Sequence, residues 1–237
     1  LECHKPPPGM LLPTGAPRLC GRWWLPDMRI LQITPGTGSF YCGCCMRDNA
    51  LVSALRTEGH DAVMALLYLP FFIDETDTSS VDRIFFGGIN VYLQQKVPLF
   101  RRTPRWIDSL FDFPALLKFS ARQAGMTKAA ELGEMSLSML EGENGHQKKE
   151  LERLLQWLRS QAPFDVVCLS NCMLLGLAGP IRRDTNAPVL CTLQGEDGFL
   201  DALPNPYREL VWEKLRQRAA DVDCFVPVSH YYAGVMK

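Results

Sequence analysis

The sequence predicts an α/β domain built on a mainly parallel sheet with helices on both faces. Two observations carry the prediction. Five short runs are apolar almost throughout, at residues 28–34, 62–67, 164–169, 188–193 and 224–228; strands of this kind are buried on both faces, as in parallel sheets, and do not alternate in and out. Stretches of helical spacing separate these runs, and the first strand, helix and strand fit into about 40 residues, the span of a βαβ unit.

The elements follow in order. Residues 1–27 hold Pro6-Pro7-Pro8, Pro13, Pro17 and Pro26 and show neither a helical nor a strand period; they are expected to be a disordered or non-native leader, with the domain occupying 28–237. Arg29-Ile30-Leu31-Gln32-Ile33-Thr34 is the first strand. Residues 46–58 follow as a helix with Ala50, Leu51, Ala54 and Leu55 on one face, and Gly59 is placed to end it in the left-handed conformation. Ala62 to Leu67 is the second strand. Ile84-Phe85-Phe86 and Ile89 to Leu93 flank Gly87-Gly88 as a short hairpin or kinked strand. The Arg-, aromatic- and proline-rich stretch 98–114 reads as a long insertion of the kind that carries function. Leu151, Leu154, Leu155 and Leu158 mark an amphipathic helix over 145–161. Strands at 164–169, 188–193 and 224–228 then alternate with helices at 172–184 and 206–220, the latter with Leu210, Val211, Lys214 and Leu215 on one side. A last helix begins near His230.

Composition excludes several functions. A net charge of −1 provides no basic field for nucleic acid. No apolar run reaches the roughly 18 residues of a transmembrane helix, although peripheral membrane contact stays compatible. The nine cysteines include Cys168, Cys191 and Cys224 within apolar strands, where they read as small buried hydrophobes. With no secretory signal, a reducing cytoplasm is expected.

Ligands of open parallel sheets bind beyond the carboxyl ends of the strands, so the residues following each strand are the site candidates. After the first come Gly36, Thr37, Gly38 and Ser39, where glycines let backbone N–H groups approach a ligand, or simply form a βα turn. Tyr41 stands where a dinucleotide fingerprint needs its third glycine, and no acid ends the second strand, which argues against NAD. No Gly-Lys-Ser/Thr is present, which argues against a P-loop. Asp48 and Asn49 read equally as helix caps or ligand contacts. Asn171 and Ser229 follow later strands, as does His230. Gln194-Gly195-Glu196-Asp197 follows the fourth strand and offers two carboxylates and an amide, with helix capping as the alternative role. Cys42, Cys44 and Cys45 crowd four positions, but without a second close Cys or His pair they are expected to hold no metal. His60 reads as structural and His146 as solvated. Arg101, Arg102 and Arg105, interleaved with Phe100 and Trp106, read as a solvated loop ahead of a phosphate contact.

The order of these motifs resembles a known family. A strand after Met28, the turn Pro35-Gly36-Thr37-Gly38, the helix led by Arg47-Asp48-Asn49-Ala50-Leu51 and ending Glu58-Gly59-His60-Asp61, then Leu193-Gln194-Gly195-Glu196-Asp197 and Val226-Pro227-Val228-Ser229 are similar to the amino-terminal domain of family 4 glycosyltransferases. The resemblance spans residues 28–237. It implies a Rossmann-like domain forming the acceptor-side half of a GT-B architecture, with the donor-binding carboxyl-terminal domain absent from this chain. It further implies a retaining transfer from a nucleotide sugar to a sugar or lipid-linked acceptor, with no metal or other cofactor, Glu196 and Asp197 as the catalytic candidates, and the other named residues binding substrate. Many members carry His where Gln194 stands; Gln can bond a sugar hydroxyl but cannot take a proton. The alternative function is a non-catalytic sugar- or nucleotide-binding module, or a truncated product.

Overall fold

The computed structural model describes residues 27–36, 42–68, 85–86, 94–95 and 129–237. Its five strands, β1 (Arg29–Thr34), β2 (Asp61–Leu66), β3 (Val166–Leu169), β4 (Val189–Leu193) and β5 (Cys224–Pro227), form one parallel sheet in the order β2-β1-β3-β4-β5. The helices are α1 (Gly43–Thr57), α2 (Ala129–Glu141), α3 (Lys148–Ser160), α4 (Ala178–Thr185), α5 (Asp197–Asp201), α6 (Tyr207–Ala219) and α7 (His230–Val235), with 3-10 turns at Gly142–Asn144 and Cys172–Leu177. The α/β class and the five parallel strands are those the sequence predicts. The expected hairpin at 84–93 falls mostly outside the described residues, as do the leader and the Arg-rich insertion.

The period-two geometry of a strand explains the two cores. Leu31, Ile33, Ala65, Val167, Leu169, Val189 and Cys191 point to one face, where they meet Leu151, Leu154, Leu155 and Leu158 of α3. Ile30, Ala62, Met64, Leu66 and Val166 point to the other and meet Cys45 and Val52 of α1. The leucine stripe of α3 is buried as its spacing requires. Gly59 takes φ +98° just after α1, the conformation predicted for it.

Five expectations are corrected. Helix α1 starts at Gly43 and turns Cys45, Asp48, Asn49 and Val52 inward, leaving Leu51 39% exposed. A buried polar partner outweighs the apolar stripe there, because the Asp48 carboxylate is held by Thr34 and Arg47. Cys224 is exposed on β5, which lies at one edge of the sheet, and Leu210 faces outward while Val211 and Leu215 are buried. The helix expected over 172–184 is a 3-10 turn followed by α4. His146 is half-buried: its N–H donates to Ser138 Oγ (2.8 Å) and its Nδ1 lies 3.1 Å from Gln95 Oε1.

The 3-10 turn allows a close backbone approach. A Cβ at Gly176 would lie 2.1 Å from the Met139 carbonyl oxygen, and one at Gly142 would lie 2.3 Å from that of Gly176. Backbone cannot swing aside as a side chain can, so Gly176→Ala is expected to lower stability by about 1–3 kcal/mol in urea unfolding. An unchanged midpoint would mean that α2 and the 3-10 turn separate freely.

Candidate active-site crevice

The sheet order places a topological switch between β1 and β3. From β1 the chain steps outward to β2 on one side, whereas β3, β4 and β5 are laid down on the other. Connections diverge at such a point and leave a crevice at the carboxyl ends of the two central strands. Thr34 ends β1, Ser170 and Asn171 follow β3, and Gln194 to Asp197 follow β4.

The centre of this edge is a hydrogen-bonded cluster that draws in α1. Asp48 is fully buried; Thr34 Oγ1 donates to its Oδ2 (2.8 Å) and Arg47 Nε to its Oδ1 (3.1 Å), with a second, short bond from Arg47 Nη2. The same Nη2 donates to Thr192 Oγ1 (2.9 Å) and lies 3.4 Å from the Ser170 carbonyl. Arg47 therefore ties the start of α1 to the ends of β3 and β4, and its side chain keeps 30% exposure. The Ser170 carbonyl also accepts from Thr192 Oγ1 (2.7 Å) and from the Gln194 amide (2.9 Å). The Ser170 hydroxyl is fully buried and has no hydrogen-bond partner among the described residues.

Glu196 organises the neighbouring turn. Its carboxylate accepts from Gln194 N–H (2.6 Å), Cys172 N–H (3.2 Å) and the Tyr232 hydroxyl (3.0 Å). The bond to its near neighbour Gln194 needs a sharp turn, and Gly195 supplies it with φ +110°. Tyr232 also lies 3.3 Å from Asp197 N–H. Burial pushes its phenol above the usual range, and the Glu196 carboxylate adds to the shift. Asp197 is half-buried in the first turn of α5.

The sequence-derived candidates divide as follows. Gln194, Gly195, Glu196, Asp197, Asp48 and Asn49 lie on or beside the carboxyl edge, with Asn49 buried on α1 and Gly36 at φ +71° after β1. Asp48 is well inside α1 and is not a cap. Asn171 and Ser229 are caps: they accept from Met173 N–H and Tyr232 N–H, both at 3.1 Å. His230 is exposed at the start of α7, and His60 accepts from Met28 N–H (3.2 Å), a structural bond. Thr37, Gly38 and Ser39 lie outside the described residues. Arg47, Thr34, Ser170, Thr192 and Tyr232 are not among the site residues that the sequence suggests. A usable signal existed for three of them: Thr34, Ser170 and Thr192 are hydroxyls at or next to the carboxyl ends of mostly apolar strands.

Two further features adjoin this edge. The Sγ atoms of Cys42, Cys44 and Cys45 all lie within 4.8 Å of one another, with Cys42 and Cys44 3.0 Å apart. Hydrogen bonds from Cys44 and Cys45 hold the Cys42 thiol below the usual range, while Cys42 raises its two partners. Separately, a groove of about 760 Å³ is lined by Leu175, Leu193, Phe225, Trp212 and Met236. None of the hydrogen-bonding side chains of the crevice lines it. Among the described residues no helix is long and apolar enough to cross a membrane. No protein-family model matches the chain, and neither does any curated protein or solved structure.

Proposed function

We propose that this domain is the acceptor-side half of a retaining glycosyltransferase that moves a sugar from a nucleotide sugar to a hydroxylated acceptor without a metal in the transfer step. The supporting observation is the buried Ser170 hydroxyl after β3, which has no hydrogen-bond partner among the described residues, while the carbonyl of the same residue accepts from Arg47 and Gln194. A buried hydroxyl without a partner costs stability, and a ligand hydroxyl arriving in the crevice would relieve that cost. Groups suited to neutral polyols lie along the same edge of the sheet: the Arg47 guanidinium and the Gln194 amide, both bonded to the Ser170 carbonyl, and the Asp197 carboxylate in the turn after β4. In this reading Arg47 and Gln194 orient the acceptor, and Asp197 accepts a hydrogen bond from the attacking or a neighbouring hydroxyl. Glu196 holds the turn that carries Gln194 and Asp197. Donor binding falls to the second domain that the family resemblance implies.

Ser170→Ala separates this role from a structural one. Removing an unpartnered buried hydroxyl is expected to leave stability unchanged or slightly higher, while binding of glycan acceptors weakens about tenfold. Saturation-transfer NMR against a glycan panel, paired with thermal melts, reads both. A destabilised variant with unaltered glycan binding would count against the reading. Residues 28–237 alone are also expected to bind acceptor without turning over nucleotide sugars, because a transition state held from one side loses most of its positioning. Robust transfer by these residues alone would refute the division of labour.

A further inference from the structure

We propose that Cys42, Cys44 and Cys45 form a three-thiolate site for a thiophilic d10 ion, Zn²⁺ in the first instance, with its fourth position open to solvent. The site is separate from the sugar-transfer chemistry proposed above and does not depend on it.

The convergence of these thiols is set by geometry that the sequence leaves open. Residues adjacent on a helix point about 100° apart, so a neighbouring pair such as Cys44-Cys45 does not ordinarily face one point. Here the pair sits in the first turn of α1, where side chains lean back toward the helix start. Cys42 occupies the N-cap position with extended backbone (φ −128°, ψ 115°), so its thiol meets the other two from outside the helix. The three Sγ atoms converge within 4.8 Å. Zn–S bonds of about 2.3 Å in a tetrahedron separate sulfurs by about 3.8 Å, so an ion needs only a modest opening of the 3.0 Å Cys42–Cys44 contact.

The surroundings favour a bound cation with net anionic ligands. Three thiolates and Zn²⁺ carry −1 overall, next to the first turn of a 15-residue helix whose N-cap makes no side-chain bond to the free N–H groups. That end of the helix favours negative charge. Cys45 is fully buried, whereas Cys42 and Cys44 are half-buried, so one side is anchored in the core and the other is reachable from solvent. No fourth protein ligand joins the cluster among the described residues, which leaves the remaining position to water or a small thiol. The ion would clamp the turn immediately before Arg47.

Co²⁺ replaces Zn²⁺ in such sites and reports thiolate ligands by an intense sulfur-to-metal charge-transfer band. The reduced, chelator-stripped protein is titrated with Co²⁺ under anaerobic conditions, then with Zn²⁺. The expected result is one Co²⁺ per chain with the charge-transfer band, displaced by one equivalent of Zn²⁺. Cys42→Ser and Cys44→Ser should each lose the band, and Cys224→Ser on the exposed edge strand should keep it. Both loss variants change half-buried thiols, and circular dichroism verifies that they stay folded; Cys45→Ser is avoided because its side chain lies in the core. Absence of the band in the unaltered protein, its persistence in both loss variants, or capture of Cys42 and Cys44 as a disulfide in place of metal binding would overturn the proposal.

Discussion

Glu196→Gln is expected to destabilise the domain by about 2–3 kcal/mol, measured as a lowered urea midpoint at constant slope. The carboxylate is 8% exposed and accepts three hydrogen bonds from three separate segments. An amide has one acceptor oxygen, so its NH₂ must face either Cys172 N–H or the pair formed by Gln194 N–H and the Tyr232 hydroxyl. Whichever way it turns, a buried backbone donor meets another donor. Sequence reasoning alone anticipates lost activity with stability nearly unchanged, and the geometry reverses that balance for Glu196. Asp197→Asn is the companion: half-buried at a helix start, it should, on the proposed function, lose about ten- to a hundredfold in sugar-transfer activity with little change in the urea midpoint. Equal stability of the Glu196 variant and the unaltered protein would return Glu196 to the role of a substrate contact.

Arg47→Ala should be equally damaging, at about 3 kcal/mol, because it strips the fully buried Asp48 carboxylate of its cation. The partial exposure of Arg47 lets water recover some of this. A double variant distinguishes charge from scaffold. Arg47→Ala combined with Asp48→Asn removes the orphaned charge while Thr34 Oγ1 can still donate to the amide oxygen, so stability should return by more than about 1 kcal/mol relative to Arg47→Ala alone. Acceptor binding should not return, because the guanidinium that reaches Thr192 and the crevice is still missing. A double variant that regains acceptor binding along with stability would show that Arg47 serves the fold alone.

The parallel α/β class was legible because it rests on local signals. Runs such as Arg29–Thr34 and Val189–Leu193 are apolar on both faces, which suits only a strand covered from two sides. The leucine stripe of α3 and the left-handed Gly59 are likewise set by residues a few positions apart. The edge that carries the candidate residues was legible for a related reason, since every parallel strand sends its carboxyl end to the same side. The roles of individual residues were not legible. Glu196 and Asp197 are neighbours with the same charge. The three donors that occupy Glu196 come from Cys172, Gln194 and Tyr232, two of them more than twenty residues away. Arg47 is an ordinary helix residue until β3 and β4 bring Ser170 and Thr192 beneath it, and the inward turn of Asp48 depends on Thr34 across the first βα unit. Sequence periodicity therefore determined which segments form the sheet and at which edge its strands end, where the candidate site is placed. Only the tertiary structure decided which carboxylate is consumed by the scaffold, which hydroxyl is left without a partner and which three thiols converge, because burial and hydrogen bonding at those positions depend on groups distant in the chain or on how the backbone turns them.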